Sequence, residues 1–361
     1  MEPAESPRPE PLTGKPAWLQ WLLLLFVSAL FSFLLEFAAL PGALLIGPML
    51  AAIVAGTYGA SVRAPKLGFA VGQAVVGVLI ASSLSPTIFL SFAARWPLFL
   101  AVVLATVAAS SFLGYLISRW RIMPGSTAVW GSSPGAATAM VLMAEAFGAD
   151  ARLVAFMQYL RVIFVTVAAA LIARLWVDTS GVVVPPTIWF PPIEILPFAA
   201  TVAVVAIGCL LGPLLRLPSP YFLGALIVGT VLHLAGGVDF QLPEWLLAIS
   251  YALIGWTIGL NFNRAILRHA ARVLPQIVLS ILVMIAFCGG LAWLLVYEMG
   301  VDPLTAYLAT SPGGMDSVAI IAAASDTIDI SFVMALQTAR FLFVLVFGPP
   351  IARMIARLVK D

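Results

Sequence analysis

The chain has 361 residues, 62% of them hydrophobic and only 9% charged, with a formal net charge of +2 and a mean hydropathy of +1.10. Soluble domains carry about 25% charged residues, so a water-soluble fold is excluded. No Lys/Arg patch is interleaved with aromatics, which excludes a nucleic-acid partner.

Residues 1–16, MEPAESPRPEPLTGKP, are polar and rich in Pro and Glu, and they read as a disordered cytoplasmic tail. The apolar run Ala17 to Leu40 is too long for a signal-peptide core and lacks a cleavage site, so it reads as a first, retained membrane helix. Runs of this kind, about 20 residues long, suit a helix crossing the hydrocarbon core. Further crossings are expected at 42–58, 67–90, 96–119 and 151–176. A Pro-rich periplasmic linker over 178–195 separates these from runs at 196–217, 220–237, 244–263, 273–298 and 328–357. The alternation of a membrane β-barrel is absent. The expected fold class is therefore an all-α polytopic membrane protein.

The two halves repeat one unit. Pro41 and Gly47 recur as Pro218 and Gly224, an offset of 177. Gly77 recurs as Gly255, and Ser133-Pro134-Gly135 as Ser311-Pro312-Gly313, both at an offset of 178. Gln158 and Arg161 recur as Gln337 and Arg340, at 179. So slow a drift of register assigns residues 17–177 to a first membrane repeat and 196–361 to a second.

Each unit also holds a segment broken by Pro-Gly, at 124–149 and 303–326. Such a segment either crosses as a broken helix or enters and leaves on one side, and positive-inside counting separates the two. With a cytoplasmic N-terminus and both segments as hairpins, fourteen of the 18 Lys and Arg face the cytoplasm. Arg95 and Arg174 alone fall outside, and Arg161 and Arg340 lie within helices. If both segments cross, the split falls to ten against six. The hairpin form implies five crossings per unit, an odd number, so the repeats are expected in inverted topology with both termini cytoplasmic. Inverted repeats with interrupted helices near the midplane are the architecture of secondary transporters.

The candidate residues cluster on these segments. Ser132, Ser133, Pro134 and Gly135 in the first, and Thr310, Ser311, Pro312, Gly313 and Gly314 in the second, set small hydroxyl residues around exposed backbone. Such tips bind a solute or ion through helix ends and hydroxyls, or else are kinks whose hydroxyls bond the preceding turn. Asp316, followed by Ser317, stands in an apolar stretch where the first unit has Thr138. A carboxyl in that setting is a functional candidate, here for coupling to H⁺ or Na⁺, with pairing to an arginine as the structural alternative. Arg161 and Arg340 lie inside helices, each with a Gln three residues earlier on the same face. They either hold an anionic solute or lock onto Asp316, Glu145 or a hairpin carbonyl. Gln73 and Tyr251 occupy equivalent positions on the third helix of each unit and are weaker candidates, while Asn261 and Asn263 are expected to cap that helix in the second unit. Cys209 and Cys288 read as packing residues, and the separated His233 and His269 make no metal site. No P-loop, GxSxG or HExxH pattern occurs, so the chain is not expected to be an enzyme or to need a cofactor.

With LPGALLIGPMLAAIVAG, WGSSPGAATAMVLMAEAFGADARLVAFMQYLRV and LATSPGGMDSVAIIA in view, the chain resembles the AbrB family of bacterial membrane proteins over about residues 20–357. Members carry two inherited labels, ammonia monooxygenase and regulator of gene expression. Neither finds support in the residues: there is no copper or iron ligand set and no DNA-binding element. The family name is shared with an unrelated soluble transition-state regulator. At the level of fold, the unit is similar to inverted-repeat symporters with re-entrant Gly-rich loops. The expected function is a secondary transporter of the inner membrane, moving a small anionic or zwitterionic solute by alternating access, with a homodimer as the expected assembly. The alternative is a sensor that binds a small ligand without translocating it and affects gene expression indirectly.

Overall fold

The computed structural model describes residues 11–38, 42–84, 95–123, 126–176, 188–313 and 329–360. Within them every regular element is an α-helix. The first unit contributes α1 (Ala17–Phe37), α2 (Ala43–Thr57), α3 (Lys66–Ser82), α4 (Trp96–Arg119), α5 (Thr127–Ser132), α6 (Ala137–Ala146) and α7 (Ala151–Trp176). The second contributes α8 (Ile195–Leu214), α9 (Pro220–Gly236), α10 (Glu244–Gly259), α11 (Arg264–Met299), α12 (Pro303–Thr310) and α13 (Ile330–Lys360). Six of them are long and apolar enough to cross a membrane, lying in α1, α4, α7, α8, α11 and α13. Their outward faces carry large apolar side chains, such as Phe37 at 85% and Leu196 at 82% exposure. An apolar surface of that extent belongs in lipid. The chain is a membrane protein.

Helix starts follow local chemistry. Pro220 opens α9 and Pro303 opens α12, positions where the missing N–H costs nothing. Asp302 caps α12 by accepting from the Thr305 N–H at 2.9 Å. Most crossing helices begin within two residues of the expected positions, and one does not. The helix expected from 273 starts at Arg264, because Asn263, in extended conformation, accepts from the Ile266 N–H and caps it. Asn263 therefore opens α11; it does not close α10 as expected. Asn261 does close α10, its side-chain N–H₂ donating to the Thr257 carbonyl at 2.7 Å.

The helices divide into two bundles. In the first, α2 packs on α10 and α3 on α9, with α1 against α2 and α8 against α9. Each contact has a counterpart at matching positions in the other unit. Glycines allow the backbones to touch. A Cβ on Gly255 would stand 2.9 Å from the Leu45 carbonyl oxygen and 3.0 Å from the Met49 nitrogen, and one on Gly72 2.9 Å from the Ser250 oxygen. The second bundle holds α4–α7 and α11–α13, with α4 on α5, α11 on α12, α5 on α7 and α12 on α13. Between the bundles, α7 on α10 is the most extensive helix contact. The boundary is filled instead by apolar side chains: Ile46 and Met49 of α2 and Ile258 of α10 share one core with Met140, Leu142 and Tyr159.

Candidate functional site

In each Pro-Gly segment a short helix stops at the break. The residue before a proline is held extended. Ser133 (φ −60°, ψ 127°) accordingly ends α5, and Ser311 (φ −54°, ψ 141°) ends α12. The Asp150 N–H donates to Thr127 Oγ1 at 3.1 Å, so the two ends of the first segment meet. The Asp329 N–H donates to Thr305 Oγ1 at 3.2 Å in the second, the same bond at matching positions. Gly314, Asp316 and Ser317 lie outside the described residues.

The tips are gripped from the helices behind them. On α7, Gln158 Nε2 donates to the Trp130 and Ser133 carbonyls at 2.8 and 3.0 Å. Arg161 donates from Nη1 to the Ser133 carbonyl at 2.7 Å and from Nη2 to the Gly135 carbonyl at 3.2 Å. On α13, Gln337 donates to the Leu308 carbonyl at 2.8 Å, and Arg340 to the Thr310 and Ser311 carbonyls at 3.0 and 2.9 Å. Three of the four side chains are 2–3% exposed and Gln158 is fully buried. The acceptors are mainly the last carbonyls of short helices, the negative end of the backbone dipole, where a guanidinium is favoured. The second tip reaches the helix that grips the first: a Cβ on Gly313 would stand 3.0 Å from Val165 Cγ1, on α7 one turn beyond Arg161.

Most hydroxyls at the breaks turn back on their own helices. Ser133 donates to the Val129 carbonyl at 2.7 Å, Ser311 to the Leu308 carbonyl at 3.2 Å, and Thr310 to the Ala306 and Cys288 carbonyls at 2.9 and 3.1 Å. In this conformation they serve the kink. Ser132 is the exception, its buried Oγ making no hydrogen bond. Thr138 Oγ1 meets Tyr159 Oη at 3.0 Å. The orphaned polar atoms recur in both units: Oε1 of Gln158 and Gln337, and Nε of Arg161 and Arg340. Buried polar groups normally find partners, so a matched set without them singles these tips out as the candidate site. Gln73 lies elsewhere, buried in the first bundle and accepting from Ser219 Oγ at 3.3 Å; Tyr251, on α10, is half-buried in that bundle. Among the described residues no group of three His, Cys, Asp or Glu side chains could hold a metal.

A cavity of about 500 Å³ with several polar groups on its walls opens between the bundles beside the first segment. Ser126, Glu145, Asp150 and Arg152 line one wall, and Thr257 and Asn261 of α10 the other. Arg152 pairs with Asp150 at 2.8 Å and reaches across to the Asn261 carbonyl at 2.9 Å. Close by, Arg264 Nε donates to the Thr57 carbonyl at 3.3 Å. Burial raises the Asp150 carboxyl, but the hydrogen bonds and charge of Arg152 and the backbone N–H groups of α7 outweigh it and hold the group below its ordinary value. Sequence reasoning passes over Asp150 and Arg152. The available signal is an Asp one residue before an apolar helical run, repeated as Asp329.

The family model described as transition state regulatory protein AbrB matches residues 44–356. A protein of Escherichia coli (strain K12) named "Putative regulator AbrB" is 47% identical over 342 residues, covering 94% of this chain and 97% of that protein. An uncharacterized protein of Bacillus subtilis (strain 168), YhjN, is 24% identical over 306 residues, covering 80% of this chain and 79% of that one. No solved structure matches. A match of this extent, on a chain whose Ser-Pro-Gly and Gln-x-x-Arg residues form one connected pair of sites, makes it a member of the AbrB family.

Proposed function

We propose that this protein is a secondary transporter that moves a small anionic or zwitterionic solute across the bacterial inner membrane by alternating access. The observation that carries the reading is the division into two bundles. Both Pro-Gly segments, and all four side chains that grip them, belong to one bundle. That bundle can shift against the other without breaking a single grip, because what crosses the boundary is mostly apolar contact. In this reading the units are inverted repeats of five crossings and one re-entrant hairpin, and the termini are cytoplasmic. The bonds Thr127–Asp150 and Thr305–Asp329, which bring each segment's ends together, support the hairpin form. The two gripped tips form the solute site, and Asp316 carries the coupling H⁺ or Na⁺. The first bundle is the scaffold through which a homodimer forms.

Flux into proteoliposomes tests the proposal, using a solute found by a thermal-shift screen of small metabolites. Counterflow and gradient-driven accumulation are expected, and Asp316→Asn should abolish the second. A solute that binds and is never exchanged would favour a non-transporting sensor, the reading raised by the name of the E. coli relative. Orientation is tested by labelling Ala146→Cys and Ser331→Cys with an impermeant maleimide. Reaction from one face at both sites would overturn the inverted arrangement.

A further inference from the structure

Arg161 and Arg340 present a charge problem that the hairpin carbonyls do not solve. The two residues are 3% and 2% exposed. Among the described residues the one ion pair is Asp150–Arg152, so no described carboxylate lies within 4 Å of either arginine. Carbonyl dipoles satisfy the Nη donors but bring no net negative charge. Buried charges without a counter-charge are costly by several kcal/mol.

Beside Arg161 lies a cavity of about 20 Å³, walled by α5, α7, α4 and α11. Its apolar wall includes Leu113, Ile281 and Met284, and its polar groups are Ser132, Arg161 and Ser280. Ser280 is committed to the Ile277 carbonyl at 2.8 Å. Arg161 Nε and Ser132 Oγ are buried and make no hydrogen bond. The cavity is therefore served by two uncommitted groups, a guanidinium N–H and a hydroxyl, next to a buried positive charge with no described carboxylate beside it. About 10–15 Å³ holds one water, so the space admits a single centre somewhat larger than that and no organic solute. A cation is repelled, and a water would satisfy the donors but leave the charge.

We propose that this cavity binds a monovalent anion of halide size, held by Arg161 Nε and Ser132 Oγ as a resident counter-ion to the paired arginines. The site goes beyond the transport reading and does not depend on it. The bound anion ties α5 to α7 in the space beside α11, so it stabilises the second bundle.

The test is thermal unfolding of the purified full chain at constant ionic strength, with chloride replacing gluconate, which is too large for the cavity. The expected result is a saturable rise in Tm with chloride, reproduced by bromide. Ser132→Ala, a mild substitution, should raise the concentration giving half the effect about tenfold, the loss of one hydrogen bond to a charged group. Crystals grown in bromide should show an anomalous peak within hydrogen-bonding reach of Arg161 Nε. A Tm indifferent to halide, a Ser132→Ala response equal to the parent's, or a water in place of the bromide peak would each overturn the proposal.

Discussion

Gln158 and Arg161, one turn apart on α7, donate to the same acceptor, the Ser133 carbonyl, at 3.0 and 2.7 Å. Arg161 spans the break in a single fork, since its other Nη reaches the Gly135 carbonyl on the far side of Pro134. A lysine has one point of charge and cannot hold both. Arg161→Lys is expected to lower stability by about 1–3 kcal/mol through one lost charged hydrogen bond. Arg161→Ala should cost more, about 3–5 kcal/mol, since buried carbonyls then lose their donors. Arg340, with its own two carbonyls, should show the same order. Thermal unfolding of the purified variants checks the ranking, and equal effects for Lys and Ala would rule out the fork.

Glycines on two helices should respond in opposite directions. At Gly255 a Cβ would press on the Leu45 oxygen and the backbone of Met49, so Gly255→Val should force α10 from α2 and cost about 1–3 kcal/mol. At Gly289 and Gly290 of α11 nothing lies within 4 Å. Alanine there should be neutral or stabilise by about 0.4–1 kcal/mol through helix propensity. The difference in Tm between the two sets is the measurement.

The Asp150 carboxyl gives a defined pH window. Its value in the folded protein is depressed, so its contribution is present at neutral pH and is lost as pH falls through the folded value. Asp150→Asn keeps the capping oxygen and removes the charge. The variant should be less stable than the parent by about 1 kcal/mol or less, because the pair with Arg152 is partly solvated. The gap should be constant from pH 7 to about pH 5 and close below about pH 4. A gap that widens on acidification would contradict the assignment.

Arg152 and Arg264 donate to the Asn261 and Thr57 carbonyls, hydrogen bonds made from the second bundle to the first. Removing both in Arg152→Ala/Arg264→Ala should free the bundles to part at that end. A cysteine at Thr257, on the cavity wall, should then react with a maleimide several times faster than in the parent. An unchanged rate would mean that these bonds do not restrain the boundary.

Helix positions were largely legible because proline and glycine mark their ends, as at Pro220 and Pro303. The start of α11 was not. Arg264, Arg268 and Arg272 look like a charged loop in sequence, yet at a spacing of four they line one exposed face, while Ala270 and Val273 are buried behind them. At the site, the sequence singled out Gln158, Arg161, Gln337 and Arg340 but could not choose among their partners. The reason is physical: the acceptors are main-chain oxygens of Trp130, Ser133, Leu308 and Thr310, and side-chain identity does not encode where a carbonyl points. The pairing of α2 with α10 and α3 with α9 also emerged only in three dimensions, where glycines of these helices let the backbones approach.

Anchoring by carbonyls has a consequence for how such a protein can diverge. Every residue has a carbonyl, so a change of side chain at Trp130, Ser133 or Leu308 leaves the bond from α7 or α13 in place as long as the chain keeps its bend. The two helices recognise the path of the backbone and are indifferent to what it carries. Side chains at the tips are thereby released from holding the tips in position, and descendants can exchange them without rebuilding the frame.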